Sequence, residues 1–444
     1  MTTATPTALA STPPASVPSA DAAAPTWKLV PLWLIVALIV SSPVIGASVI
    51  NAHMAEALKM DRTQLGAGFS LFVAMMSLCA PVVAIGFKRF GIRTVAAAGA
   101  ALAALGAVLM ATMVESGPAY ILCYGLVIGL GVGAAGVMPV QTVVASWFRH
   151  RRALAVCVVL SAIDVAGIVA APVFARLIAE TGDWRSAWWV TLTSIVTAGL
   201  LILWILPRKV ATDAAGHIEV NTPAIKAEDA ASRVYKSPVS WSVKDAVRTR
   251  QYALLMLYSV ITAIVWVFFL SHGVKHLQEI GHSATTAASI VSVIVGAQLL
   301  GNITAGLSGD RVPPHLIGAA SMVMLGAGLA LGLSPSTEVG LIAFGVVFGF
   351  GYGAGQVCWI TALGNYFGPG PFPVLFGIIL SAGVLGGIVG GVGAGATFDR
   401  LHTYHPALLV GIVLTVTVGL LQLLASPASI RRQAAELARR GEPA

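Results

Sequence analysis

One carboxylate in this chain stands where carboxylates are costly. Of 18 acidic residues, Asp164 alone falls near the middle of a long apolar run, twelve residues from Arg152 and twelve from Arg176. A central aspartate costs roughly 2.5–3.5 kcal/mol to insert in a bilayer, so it should face a cavity or a partner. Two readings stand: a carboxyl that takes and releases a proton during a transport cycle, or a protonated, hydrogen-bonded one that fixes helix contacts. Gln298 and Asn302 are spaced i, i+4 in another apolar run, so they share one helix face. Their amides can bind a solute or glue that helix to a neighbouring one.

Other polar residues fall at run ends. Asn51 and His53 close the first run, and His272 and His276 close the seventh. The His272/His276 pair has helical metal-site spacing but no third ligand, so no metal is expected. Six of the nine histidines (His53, His272, His276, His282, His402, His405) gather on one side of the expected membrane, where a pH-sensing role is open. Cys79, Cys123, Cys157 and Cys358 lie inside apolar runs without redox or ligand spacing and read as small packing residues. Gly131 to Gly136 satisfies a dinucleotide-loop pattern, but no strand precedes it and no acidic residue follows about 20 positions on. Those glycines, and Gly383, Gly387, Gly391 and Gly395 at every fourth position, are expected to let helices approach closely. No cofactor is expected.

The elements that position these residues are read from composition. Hydrophobic residues make up 57% of 444 positions and charged residues 10%, against about a quarter charged in soluble domains. Too few charges exist to cover the molecule in water, so lipid must cover it. The net charge of +8 comes without a base-reading or phosphate-tracking patch, which argues against nucleic acid. Runs of about 20 apolar residues, each long enough to cross a ~30 Å core, lie near 29–52, 64–86, 94–113, 119–147, 153–176 and 186–206. A second set lies near 252–272, 285–307, 315–333, 339–363, 372–397 and 406–425. The expected fold is therefore all-α, with twelve transmembrane helices.

With the N-terminus inside, 20 of the 26 Lys and Arg residues fall in cytoplasmic segments and six on the other side. That bias places both termini in the cytoplasm and suits a multi-pass protein of a bacterial inner membrane. Residues 1–28 read as a disordered tail without the basic start of a signal peptide, and 427–444 as a second tail. The polar stretch 207–250 is the one long linker. Ser240 to Arg250 is expected to form a short interfacial helix with Trp241 at headgroup level.

The two sets are related. Gly125, Gly129, Gly131 and Gly133 recur 220 positions later as Gly345, Gly349, Gly351 and Gly353, and Leu160-Ser161-Ala162 as Leu380-Ser381-Ala382. The expected division is 29–206 and 251–426, two pseudo-symmetric six-helix halves with a site at their interface.

Here the chain resembles the major facilitator superfamily, and within it the monocarboxylate and oxalate/formate branch. Trp147-Phe148-Arg149-His150-Arg151-Arg152-Ala153-Leu154-Ala155 is similar to that branch's aromatic–basic–Leu-Ala signature. Gly306 to Arg311, with Asp310 and Arg311, resembles the superfamily's conformational loop motif, to which Arg151 and Arg152 belong on the partner side. The resemblance implies that Gln141, Gln356 and Trp359 lie on cavity-lining helices. Asn302 stands where the branch carries a substrate-pairing arginine, and the second-to-third loop has Lys88 in place of the motif's aspartate.

The function implied is secondary transport of a small organic solute, a carboxylate first, by alternating access with proton coupling or exchange. Efflux of a neutral or drug-like solute is the alternative. A membrane enzyme would need acid/base, nucleophile or metal residues clustered at one depth, and the chain offers one isolated carboxylate; a transporter-like sensor would need a signalling module, which neither the central polar stretch nor 427–444 resembles. Expected partners are the solute, protons and the bilayer, with the protein a monomer.

Overall fold

In the computed structural model, residues 26–440 are described apart from 41–42, 45–49, 51–52, 55, 61, 149–150, 209–233, 240 and 336. The expected disordered N-terminal tail and most of the linker lie outside the described residues. All regular elements among the described residues are helical. Before the linker run α1 (Leu29–Val40), α2 (Arg62–Leu78), α3 (Ala80–Phe90), α4 (Ile92–Thr112), α5 (Gly117–Trp147), α6 (Arg152–Thr181) and α7 (Arg185–Ile205). After it run α8 (Val243–Val247), α9 (Arg250–Glu279), α10 (Ala284–Ser308), α11 (Pro314–Leu331), α12 (Glu338–Phe367), α13 (Phe372–Leu401), α14 (His405–Gln422) and α15 (Ala428–Arg440).

Ten of these helices are long and apolar enough to cross a membrane, and α2 with α3 makes an eleventh crossing bent by 42° at Cys79. The bend has a local cause: Pro81 begins α3 and has no N–H for the preceding turn. The first of the twelve expected spans is described only as the 12-residue α1, because the residues after Val40 are largely outside the description. Elsewhere the apolar runs locate the helices closely. The helices α6, α9, α12 and α13 reach 30 residues, about 45 Å at the helical rise, and so extend beyond the hydrocarbon at one or both ends.

At the polar ends, the stretch Ser240 to Arg250 contains the short helix α8, and Trp241 before it is buried: its Nε1–H donates to Ser237 Oγ at 2.9 Å and its ring meets Phe367 edge-on. Burial satisfies both its ring and its one donor. The tail after 427 carries a helix: α15 docks through buried Ile430 and Ala434, one turn apart, and leaves Arg431 and Arg432 exposed.

Close backbone approach explains how so apolar a bundle keeps its helices in register. A Cβ on Gly349 or Gly353 of α12 would lie 2.2 or 2.0 Å from the carbonyl oxygens of Ile294 and Gln298 on α10. The related Gly129 and Gly133 of α5 meet Phe72 and Met76 of α2 in the same four-residue step. The repeated glycines thus make equivalent helix pairs in the two sets. On α13 the tightest approach belongs to Gly386 and Gly390, against Val260 and Ile264 of α9. The expected ladder at 383, 387, 391 and 395 has looser neighbours, because that phase of the helix is turned away from the closest contact.

Candidate functional site

The mid-bundle site is assembled from α6 and α10. Asp164 is buried, and its two carboxyl oxygens are each taken by an amide of the other set of helices. Gln298 Nε2 donates to Oδ1 at 2.6 Å and Asn302 Nδ2 donates to Oδ2 at 2.6 Å. The i, i+4 face expected on α10 therefore meets the lone carboxylate expected on α6. Acceptance from two N–H groups is the pattern of an ionised carboxylate, which has no proton to give. The opposite ends of the two amides, Gln298 Oε1 and Asn302 Oδ1, are buried without a hydrogen-bond partner.

The backbone of α10 is fixed at this level by α12. Gly353 lies against the Gln298 carbonyl, and its neighbour Tyr352 is within electrostatic reach of Asp164. Tyr352 stacks on Trp266 of α9 with ring centroids 4.0 Å apart. Gln298, Trp266, Tyr352 and Gln356 are all half-buried, whereas Asp164 and Asn302 are buried. An aromatic pair on α9 and α12 thus stands near a carboxylate held by amides, with Tyr352 the link between them. Trp266 and Tyr352 are missing from the residues singled out by sequence, although a tryptophan at mid-span, away from the interfacial belt, is a signal in itself.

The remaining candidates spread over several places. Trp359 Nε1–H donates to Gln356 Oε1 at 2.8 Å, and its ring stacks on Phe376; Trp359 also lines a crevice with Tyr258 and His315. Gln141 on α5 is fully buried, and neither its oxygen nor its nitrogen finds a partner. His272 and His276 serve packing at the far end of α9: His272 Nε2 bonds Gly391 O at 2.9 Å and His276 Nε2 bonds Gly332 O at 2.8 Å. Among the described residues no group of three or more His, Cys, Asp or Glu could hold a metal. His53 is exposed, and Asn51 lies outside the described residues.

The loop motif forms a second cluster at the basic end. Asp310, just beyond α10, accepts from the backbone N–H of Ala153 at 3.3 Å, in the first turn of α6. Burial pushes the Asp310 carboxyl above the usual range, opposed by the Ala153 and Leu154 N–H groups and by the Lys236 and Arg152 charges. A carboxylate at a helix N-terminus meets unsatisfied N–H groups and the positive end of the helix dipole. Arg152 is buried and donates three ways: to Phe148 O at 3.2 Å, to Ala145 O at 3.0 Å and to Asn365 Oδ1 on α12 at 2.8 Å. It thereby caps the carbonyl end of α5 and ties it to the second set of helices. Arg151, the residue before α6, lies in the left-handed region (φ 55°) and is exposed, as is Arg311.

The comparisons agree with this architecture. The family described as Major Facilitator Superfamily matches residues 32–293, more than half of the chain. The chain belongs to the major facilitator superfamily. Among curated proteins it is similar to Monocarboxylate transporter 13 of Bos taurus, 26% identical over 77% of this chain and 75% of that protein. It is also similar to the Multidrug resistance protein MdtL of Escherichia coli, 24% identical over 71% of this chain and 75% of that one. Among solved structures, the major facilitator superfamily transporter FucP in the outward conformation covers 90% of this chain and 98% of its own, with a TM-score of 0.71 at 14% identity. The proton:xylose symporter XylE matches with a TM-score of 0.66 at 14% identity. The all-helical, multi-span fold of this superfamily is the fold of this chain, a family of transporters and not of enzymes.

Proposed function

We propose that this chain moves a small organic solute, a carboxylate first, across the membrane by alternating access, with Asp164 carrying the coupling proton. The observation that supports the reading is the buried carboxylate held by amides from the opposite set of helices at mid-span. A charge there is affordable only while both amides hold it, so any rearrangement of α6 against α10 makes it take up a proton or find another partner. The site then reports helix movement as a change of protonation, which is what coupling requires. The orientation read from the loop charges, both termini in the cytoplasm of a bacterial inner membrane, makes the Asp310 end the cytoplasmic one.

The aromatic face of Trp266 and Tyr352 supports a second reading, efflux of a flat, drug-like solute. The two separate in proteoliposomes loaded with radiolabelled monocarboxylates or with a planar aromatic amine, under an imposed pH gradient. The Asp164→Asn variant is expected to lose proton-driven accumulation of the true substrate and to keep counterflow exchange. Accumulation at the wild-type level in that variant removes Asp164 from the coupling role.

A further inference from the structure

The proposed carboxylate substrate poses a physical problem, and its solution, which rests on that transport reading, lies in the unused halves of two amides. An anionic solute needs donors or a cation. The helices packed against α6 around Asp164 supply no cation: α1, α10 and the Val137–Trp147 half of α5 carry no ionisable side chain. α7 has only Arg185, at its start, and α12 has Glu338, Tyr352, Cys358 and Tyr366. The ionisable groups that sense Asp164 electrostatically are Cys157 on its own helix and Tyr352. Arg152 and Arg176 lie twelve residues away along α6, about 18 Å each at the helical rise. With Asp164 ionised, both amides spend their N–H groups on it and leave Gln298 Oε1 and Asn302 Oδ1 as orphaned acceptors. The two amides then turn lone pairs only toward their surroundings, and neither has an N–H left for a carboxylate.

We infer that a proton on Asp164 inverts the polarity of this site by turning the Gln298 amide. A protonated carboxyl has one O–H to give, and the amide already bonded to Oδ1 carries an acceptor without a partner, the Gln298 carbonyl oxygen. Rotating that amide by half a turn brings Oε1 to the carboxyl O–H and swings Nε2, with its two N–H donors, to where the orphaned oxygen stood. Gln298 is the mover because it is longer and half-buried, whereas Asn302 is closed in and keeps its bond to Oδ2. One proton thus neutralises the site and converts an acceptor into a pair of donors. The proton replaces the arginine that a carboxylate site would otherwise need, and carboxylate binding becomes linked to proton binding by reciprocity.

The sign of the pH dependence separates this arrangement from its alternatives. Above the Asp164 midpoint, affinity for a monocarboxylate is expected to fall tenfold per pH unit, whereas an organic cation competing with the proton would gain affinity. Thermal-shift titrations of the purified protein with acetate, lactate, benzoate and tetraphenylphosphonium between pH 5 and 8 read this directly. Asp164→Asn, whose amide donates to Gln298 as the protonated acid does, should bind the carboxylate with a flat pH profile. Gln298→Met should lose about tenfold or more of the affinity at pH 5.

A ligand-free infrared difference spectrum across the same pH step should show a carboxylic C=O band together with a side-chain amide shift. Both should be absent in Asp164→Asn, and only the amide shift absent in Gln298→Met. A carboxylic band without the amide shift overturns the inference. So does monocarboxylate affinity that is flat or rising with pH in the wild type, or no binding of any of the three acids at pH 5. The first two outcomes leave the transport reading intact; an absence of acid binding also removes the carboxylate from it, and proton-driven accumulation in vesicles decides transport separately.

Discussion

At the scale of single residues, Asp310 carries the sharper pH prediction, because it lies outside the spans and touches the N-terminus of a helix from the other set. Its carboxyl is raised by burial against α6, so proton uptake favours the packed arrangement over one in which Asp310 is solvated. The stabilising contribution is full below the ordinary carboxylate value near 3.9 and is lost as pH rises through the raised one. Asp310→Asn keeps an acceptor for the Ala153 N–H and should hold the contact without that pH dependence. Asp310→Ala should lose about 1 kcal/mol of it, the typical worth of an N-terminal cap. Protease protection of the 309–313 turn, followed from below the ordinary carboxylate value up to neutral pH, checks both; equal pH dependence in wild type and Asp310→Asn would remove the titration from Asp310.

The residue scale is also where reading from sequence has its clearest reach and limit. Asp164 is conspicuous because no other acidic side chain shares its depth, and Gln298 with Asn302 because helical spacing alone puts them on one face. Tyr352 escapes because an aromatic in an apolar run looks like core packing until its neighbours are known, whereas the mid-span position of Trp266 is a signal that points to no particular partner. Arg152 is visible as part of a basic motif, but its acceptor Asn365 lies 213 residues away, and no local pattern encodes such a pairing.

At the scale of elements, α10 is held by its close seat on α12, and the seat positions the amides. Gly353 has no space for a Cβ: the nearest atom would be the Gln298 carbonyl oxygen at 2.0 Å and the next the Gln298 carbonyl carbon at 2.8 Å. Backbone, unlike a side-chain tip, cannot turn aside, so Gly353→Ala must push the two helices apart at the level of Asp164. Overpacking of this kind typically costs about 1–3 kcal/mol, and an ångström of misplacement at a site can cost on the order of a hundredfold in activity. The expected outcome is a protein that melts a few degrees lower and loses transport out of proportion to that. Gly386→Ala, on the α9–α13 contact, is the control, since the Val260 oxygen at 2.3 Å makes it similarly destabilising at a different contact. If both variants lose transport equally, the Gly353 effect is general loosening and not displacement of the amides. The glycine phase on α13 shows why such contacts resist sequence reading: every fourth residue from 383 and the pair 386 and 390 look alike, and only the partner helix chooses between them.

At the scale of the whole molecule, an alternating-access cycle requires that the contacts closing one end be strong enough to hold and weak enough to break. At the basic end the two sets of helices meet through Arg152–Asn365, through the Asp310 cap, and through Gly306 packed on Cys157, where a Cβ would come within 2.4 Å. The post-linker segment joins the same cluster, because Ser237 N–H donates to Asn365 O at 2.8 Å. Arg152 keeps two carbonyl partners within its own set of helices, so removing Asn365 leaves the guanidinium bound and breaks only the bond that crosses between sets. A charge-assisted hydrogen bond of this kind contributes about 1.5–3 kcal/mol, and a loss of 1.4 kcal/mol moves a two-state equilibrium tenfold. Asn365→Ala should therefore raise the population open at the basic end by about tenfold or more while the fold persists. Cys157 is the reporter built into the chain, buried beneath that contact. With Cys79, Cys123 and Cys358 changed to serine, its labelling by a membrane-impermeant maleimide should accelerate by that factor in Asn365→Ala. Labelling at the wild-type rate would mean that the Arg152–Asn365 bond does not hold this end closed, and the closing energy would then lie in the apolar contact between α6 and α10.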